Sequence, residues 1–228
     1  MPKLRAPFSA VLDAVREHTS MLLGTTIGYS ADDWAEPTAL TGWTRSHVAA
    51  HLSDGARGMV RVIDSLRAGS PLHMYASAES RRRSMEMGAL GSGLELQIGL
   101  DTSASELQGK LAGLEDDDQQ VELRSGYRLS ASTIPLARLS EVVLHHMDLG
   151  WRLSDNDLAP VIARALLKFQ VWRIGAHPDI PPTLLIADEG YEGEVGPDGP
   201  RETLRGPAAD LTAWLARGVE SDRLTREA

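Results

Sequence analysis

The chain has 228 residues, 42% of them hydrophobic and 24% charged, with a formal net charge of −9 and no cysteine. This length allows one large domain or a domain with a smaller companion, and the missing cysteine excludes disulfides, cysteine-ligated zinc and a thiol nucleophile of the chain's own. The acidic charge disfavours nucleic-acid binding and no apolar stretch reaches the roughly 18–20 residues of a membrane span, so we expect a cytoplasmic protein that binds neither nucleic acid nor membrane.

Helical periodicity dominates the first two thirds of the sequence. Apolar residues recur there at three- and four-residue steps, which is the spacing of one helix face. Five helices are predicted on this ground, at residues 8–27, 44–68, 77–87, 103–114 and 133–151. Thr44 is the expected N-cap of the second helix, and Ser77 or Ser80 that of the third. Residues 121–130 alternate around a glycine and predict either a small hairpin or an irregular loop.

The pattern changes after residue 155. Pro160 is expected to open a helix that runs to residue 176, and Pro207 to open a last one. Turn residues separate three short strand candidates between these helices, at residues 183–187, 191–195 and 202–204. The predicted fold is therefore mainly α: a helical bundle over residues 1–155, followed by a small α+β domain over residues 156–228.

Two pairs of potential metal ligands stand four residues apart: His47 with His51, and Glu141 with His145. A four-residue step places both side chains on one helix face, where they can reach a single ion. At about 100° per residue, His51 lies closer than His47 to the centre of its helix's apolar stripe. We therefore expect His51 to point into the bundle and interpret His47 as a boundary or capping residue.

The helix predicted over residues 133–151 is apolar on both sides, so Glu141 and His145 are expected to be buried. A buried carboxylate beside a buried imidazole needs a partner. A metal ion shared with His51 would supply one, whereas a Glu–His ion pair would need no metal. Two imidazoles and one carboxylate suit a Zn²⁺ ion whose fourth coordination position is open to water or substrate, although other divalent ions accept the same ligands. Asp148 either orients His145 or accepts backbone hydrogen bonds.

Three segments carry a resemblance to a known family: residues 40–51 (LTGWTRSHVAAH), residues 74–81 (MYASAESR) and residues 141–150 (EVVLHHMDLG). In these segments, and in its C-terminal part through residues 211–218, the chain resembles the mycothiol-dependent maleylpyruvate isomerases. This family belongs to the DinB-like metal-binding four-helix bundles. The resemblance covers nearly the whole chain and implies a four-helix bundle followed by a small sterol-carrier-like α+β domain.

The resemblance also implies an activity, the cis–trans isomerisation of maleylpyruvate, a product of gentisate ring cleavage, to fumarylpyruvate. It implies that His51, Glu141 and His145 hold Zn²⁺ and that mycothiol serves as the thiol cofactor of a cytoplasmic, monomeric enzyme. Arg81 and Arg217 are then the residues that act on the dicarboxylate substrate, because a guanidinium binds a carboxylate through two hydrogen bonds. Around Arg217 the chain reads Ala-Arg-Gly-Val, where the family has Gly-Arg-Gly.

Two other functions stay open. Another mycothiol-dependent S-transferase on the same bundle would share the zinc and the thiol, and turnover of maleylpyruvate would distinguish the two. A non-catalytic module, in which the polar trio is only structural, would have neither a labile metal site nor affinity for a thiol.

Overall fold

The computed structural model describes residues 6–70, 73–124, 126–154 and 157–227. The chain divides into two compact units, one of Val15–Trp151 and the other of Arg152–Ala228 with Met1–Ala14. The predicted domain boundary, between residues 155 and 156, lies outside the described residues.

The first unit is a bundle of helices. In chain order its helices are α1 (Phe8–Thr26), from Val15 onward, α2 (Ala31–Ala35), α3 (Arg45–Arg67), α4 (Ala78–Ala89), α5 (Gly93–Leu111) and α6 (Ile134–Asp148). Leu22, Leu52, Leu100 and Val142, from α1, α3, α5 and α6 respectively, share one buried apolar cluster. Burial of one apolar face from each of these helices produces the predicted four-helix bundle.

Local capping explains where the helix predictions were wrong. Helix α5 begins at Gly93 rather than at residue 103, because Ser92 and Glu95 form a reciprocal capping box. The Ser92 amide donates to Glu95 Oε2 at 2.7 Å, and the Glu95 amide donates to Ser92 Oγ at 3.3 Å. The short helix α2, which the sequence analysis missed, begins with a similar box between Ser30 and Asp33.

The alternation over residues 121–130 forms a hairpin and not an irregular loop. Strand β1 (Gln120–Arg124) pairs in antiparallel fashion with β2 (Tyr127–Ser130). Val121 and Leu129 face each other in this register and are both buried. Strand β1 also packs against α3, so the hairpin covers part of the bundle.

The second unit is a small α+β fold, as predicted. Its elements are α7 (Pro160–Ile174), β3 (Thr183–Ala187), β4 (Tyr191–Val195), β5 (Glu202–Gly206), α8 (Ala208–Arg217) and β6 (Thr225–Glu227). The strand order is β4-β3-β5-β6, in which only β3 and β5 are parallel. Helices α7 and α8 pack on each other and on the sheet, over alternate buried residues such as Leu185 and Leu204.

The segment between α3 and α4 packs against α3 and is hydrogen-bonded to it through Met74. Gly58 makes room for this buried side chain, because a Cβ at that position would lie 2.9 Å from Met74 Cε. Arg61 Nη2 also donates to the Met74 carbonyl oxygen at 2.7 Å. Three residues later Ser77 caps α4 by accepting from the Ser80 amide at 3.0 Å. We call residues 73–77 the α3–α4 segment; its attachment to α3 fixes the position of Tyr75.

Candidate active site

Helices α3 and α6 bring two pairs of residues face to face. The rings of His51 and His145 meet edge to face, with centroids 4.7 Å apart. One turn further along α3, Gly55 lies opposite Glu141, since a Cβ on Gly55 would be 3.4 Å from the carboxylate Oε2. From the first contact to the second, residue numbers increase along α3 and decrease along α6, so the two helices are antiparallel here. The three predicted ligands therefore lie along one stretch of the α3–α6 interface.

An indole ring packs against both imidazoles. Trp43, which precedes the N-cap of α3, has its ring centroid 5.3 Å from that of His51 and 6.2 Å from that of His145. The Trp43 ring lies nearly parallel to the His145 ring, at 16°. His51 is only 9% exposed. The indole thus shields the histidine pair from water on one side and limits rotation of both rings.

A carboxylate fixes the tautomer of His145. Asp148 Oδ2 lies 2.8 Å from His145 Nδ1, and the Asp148 side chain is buried. An ionised carboxylate can only accept a hydrogen bond, so Nδ1 carries the proton. In the neutral imidazole this leaves the lone pair on Nε2, which is the atom that can then bind a metal. Of the two roles considered for Asp148, the structure supports the orientation of His145.

Glu141 lies beside a buried cation. Arg138 is 3% exposed, and its Nη1 donates to the Leu52 carbonyl oxygen at 3.0 Å and to Glu141 Oε2 at 3.4 Å. Burial lowers the pKa of the Arg138 guanidinium, and the negative charge of Glu141 opposes that shift. The carboxylate therefore offsets a buried positive charge, and removing it would leave that charge unpaired.

The donor atoms suit a divalent metal, although they are not assembled around one. No three His, Asp or Glu side chains within the described ranges are arranged to hold a metal ion. Glu141 is engaged with Arg138 on its own helix. Even so, His51, His145 and Glu141 offer two imidazoles and a carboxylate at one interface, the ligand types that zinc accepts. By donor chemistry these residues fit the ion.

The two neighbouring histidines have other roles, and that of His47 is the capping role that the helix phase predicted. His47 Nδ1 accepts from the Thr44 amide at 3.2 Å and lies 2.8 Å from Thr44 Oγ1, so His47 caps the start of α3. His146 is buried, lies 2.8 Å from Thr25 Oγ1 through Nε2, and stacks on Trp151 at a centroid distance of 4.5 Å. Neither histidine belongs to the His51–His145 contact.

Tyr75 is a site residue that the sequence analysis did not single out. The Arg81 guanidinium lies over the Tyr75 ring, 5.7 Å from its centroid. Burial, followed by the nearby charges of Asp54 and Glu141, raises the pKa of Tyr75, so the phenol stays protonated. Tyr75 thus contacts Arg81 and lies within the electrostatic reach of Glu141. The available signal was its place in the segment that carries the family resemblance.

Arg217 belongs to the other unit. It is the last residue of α8, and Gly218, with a φ of 65°, ends that helix in the left-handed conformation. Arg217 Nη1 donates to the Ala216 carbonyl oxygen at 2.9 Å. Its role toward substrate stays a prediction.

Comparisons with known proteins identify the family of the first unit. The family model described as mycothiol maleylpyruvate isomerase N-terminal domain matches residues 15–150, which include both α3 and α6. No protein of curated function matches the chain. Among the described residues, every helix is too short or too polar to cross a bilayer.

Two solved structures have the same fold. One is the mycothiol-dependent maleylpyruvate isomerase, with a TM-score of 0.83 and 23% identity, and the other is its histidine-to-alanine variant, with a TM-score of 0.85 and 22% identity. Each match covers 99% of this chain and 95% of the solved one. The similarity thus extends over both units.

Replacing Asp148 by asparagine is expected to weaken zinc binding while leaving the fold intact. The neutral amide no longer fixes the His145 tautomer or strengthens its basicity, and loss of such a partner typically lowers metal affinity about 10–100-fold. Competition with a chromophoric chelator measures the zinc Kd. Asp101→Asn, an exposed change on α5, is the control, and equal affinity in both variants would contradict the role of Asp148.

Proposed function

Because the chain belongs to the mycothiol maleylpyruvate isomerase N-terminal domain family, we propose that it converts maleylpyruvate to fumarylpyruvate with mycothiol as its thiol cofactor and a zinc ion at the α3–α6 interface. The observation that carries the proposal is the His51–His145 contact, with Glu141 one turn away on α6. The predicted cytoplasmic location, monomeric state and role in gentisate degradation are part of the same proposal.

His51, Glu141 and His145 are the residues that would hold the ion. A zinc ion held by them would lower the pKa of a bound thiol, which is the chemistry that reversible addition of a thiolate to the cis double bond requires. Asp148 keeps the proton on His145 Nδ1 and directs Nε2 away from itself. Trp43 excludes water from one side of both imidazoles.

Arg81 supplies the positive charge that a dicarboxylate substrate requires. Its guanidinium offers paired N–H donors to a carboxylate, and the contact with the Tyr75 ring restricts its orientation. A cavity of about 360 Å³ adjoins both residues and is also lined by the start of α4 and by Glu122, whose carboxylate is paired with Arg128 at 3.1 Å. The amide groups and positive dipole end of this helix favour an anion there. We therefore expect one substrate carboxylate in this cavity.

A turnover assay tests the proposal directly. The zinc-loaded protein is incubated with maleylpyruvate and with mycothiol, glutathione or no thiol, and fumarylpyruvate is measured by chromatography. Of the three conditions, we expect turnover only with mycothiol. There should be none without a thiol, because the chain has no cysteine of its own to replace it. Turnover without added thiol would overturn the proposal. Thiol binding without turnover would favour the alternative, another mycothiol-dependent S-transferase.

Arg81→Lys is expected to lower kcat/KM for maleylpyruvate at least tenfold with zinc content unchanged. Lysine keeps the charge but loses the planar pair of donors, a difference worth about one charge-assisted hydrogen bond. Arg82→Lys is the matched control, since Arg82 is exposed and pairs with Glu86. Similar kinetics in the two variants would rule out a substrate role for Arg81.

A further inference from the structure

A second cavity borders the α3–α4 segment. It has a volume of about 500 Å³, and its lining includes His73, Tyr75 and Ala76, which it shares with the cavity beside Arg81. Met74 of the same segment also lines it, and the side chains contributed by α3 and α4 are polar: Asp54, Arg61, Ser80 and Ser84. Its volume is sufficient for a ligand larger than the small dicarboxylate substrate.

Both cavities are lined by one arginine and one carboxylate. In the first, Arg128 Nε lies 3.1 Å from the Glu122 carboxylate and offsets it, which leaves the charge of Arg81 beside the start of α4. In the second, Arg61 donates to the Met74 carbonyl oxygen and the Asp54 carboxylate offsets its charge. That carboxylate is also a strong acceptor for the hydroxyl groups of a polyol. The second cavity is therefore suited to a neutral ligand with many hydroxyl groups.

Asp54 connects this cavity to the candidate active site. It precedes Gly55, the residue that lies against the Glu141 carboxylate. Ser84 Oγ donates to Asp54 Oδ1 at 3.1 Å, which shows that a hydroxyl group can approach this carboxylate from the α4 side. Tyr75, which lines the cavity, is within the electrostatic reach of both carboxylates, that of Asp54 and that of Glu141 at the α3–α6 interface.

We propose that this cavity binds the sugar portion of the thiol cofactor, with Asp54 accepting hydrogen bonds from its hydroxyl groups and Ser80 and Ser84 completing the polar wall. The assignment rests on the proposed function for the identity of the cofactor. It gives the two cavities separate tasks: the one beside Arg81 takes the substrate carboxylate, and the one beside Asp54 takes the polyol. The cofactor's thiol end would then extend toward the α3–α6 interface.

Titration calorimetry with the thiol-free sugar portion of mycothiol, glucosaminylinositol, tests this site without requiring turnover. We expect binding to the wild-type protein and an affinity about tenfold lower in Asp54→Ala, the effect of losing a hydrogen bond to a charged acceptor. Ser84→Ala should weaken binding by a smaller factor. Asp64→Ala is the control, because Asp64 is also on α3 but pairs with Lys110 outside the cavity. Circular dichroism checks that each variant is folded.

A kinetic comparison links the site to the cofactor. The ratio of kcat/KM with mycothiol to kcat/KM with N-acetylcysteine, a thiol without the sugar, should fall about tenfold in Asp54→Ala and stay at the wild-type value in Asp64→Ala. An unchanged ratio in Asp54→Ala, or no binding of the sugar by the wild-type protein, would overturn the inference. Absence of turnover together with sugar binding that depends on Asp54 would overturn the proposed function while supporting the sugar site.

Discussion

The antiparallel contact between α3 and α6 is the constraint on which the candidate site depends. At this contact His51 of α3 faces His145 of α6, and four residues further along α3 Gly55 faces Glu141, which is four residues before His145. Gly55 matters because a side chain longer than alanine would occupy the space of the Glu141 carboxylate. The same contact brings that carboxylate to Arg138, whose buried charge it offsets. Helix packing thus places two imidazoles, one carboxylate and one guanidinium together before any ligand is bound.

Much of the fold could be predicted because the helices are amphipathic. Periodicity located α1, α3 and α6, and turn residues delimited the strands of the C-terminal unit. The prediction failed where local capping outweighs periodicity: the box between Ser92 and Glu95 starts α5 well before its apolar repeat is evident. It also missed β6, a short strand (Thr225–Glu227) whose residues are all exposed. A strand of this kind is stabilised by its pairing with β5, which no local pattern reveals.

The candidate site was predictable only where it lies on helices. Helix phase distinguishes His51 from His47, since 100° per residue decides which imidazole faces the interior. Tyr75 lies in an irregular segment that has no such phase. Its position depends on tertiary contacts, namely the packing of Met74 on Gly58 and the hydrogen bond from Arg61. Sequence pattern contains little information about contacts of this kind, so the partner of Arg81 emerges only from the structure.

The proposed metal centre requires that α3 and α6 jointly ligate one ion. X-ray absorption at the zinc edge, on protein loaded with one equivalent of zinc, identifies the ligands. We expect two imidazole nitrogens and one carboxylate oxygen bound to the zinc, at about 2.0–2.2 Å, and one imidazole fewer in His51→Ala. A first shell with no imidazole, or one that His51→Ala leaves unchanged, would contradict it.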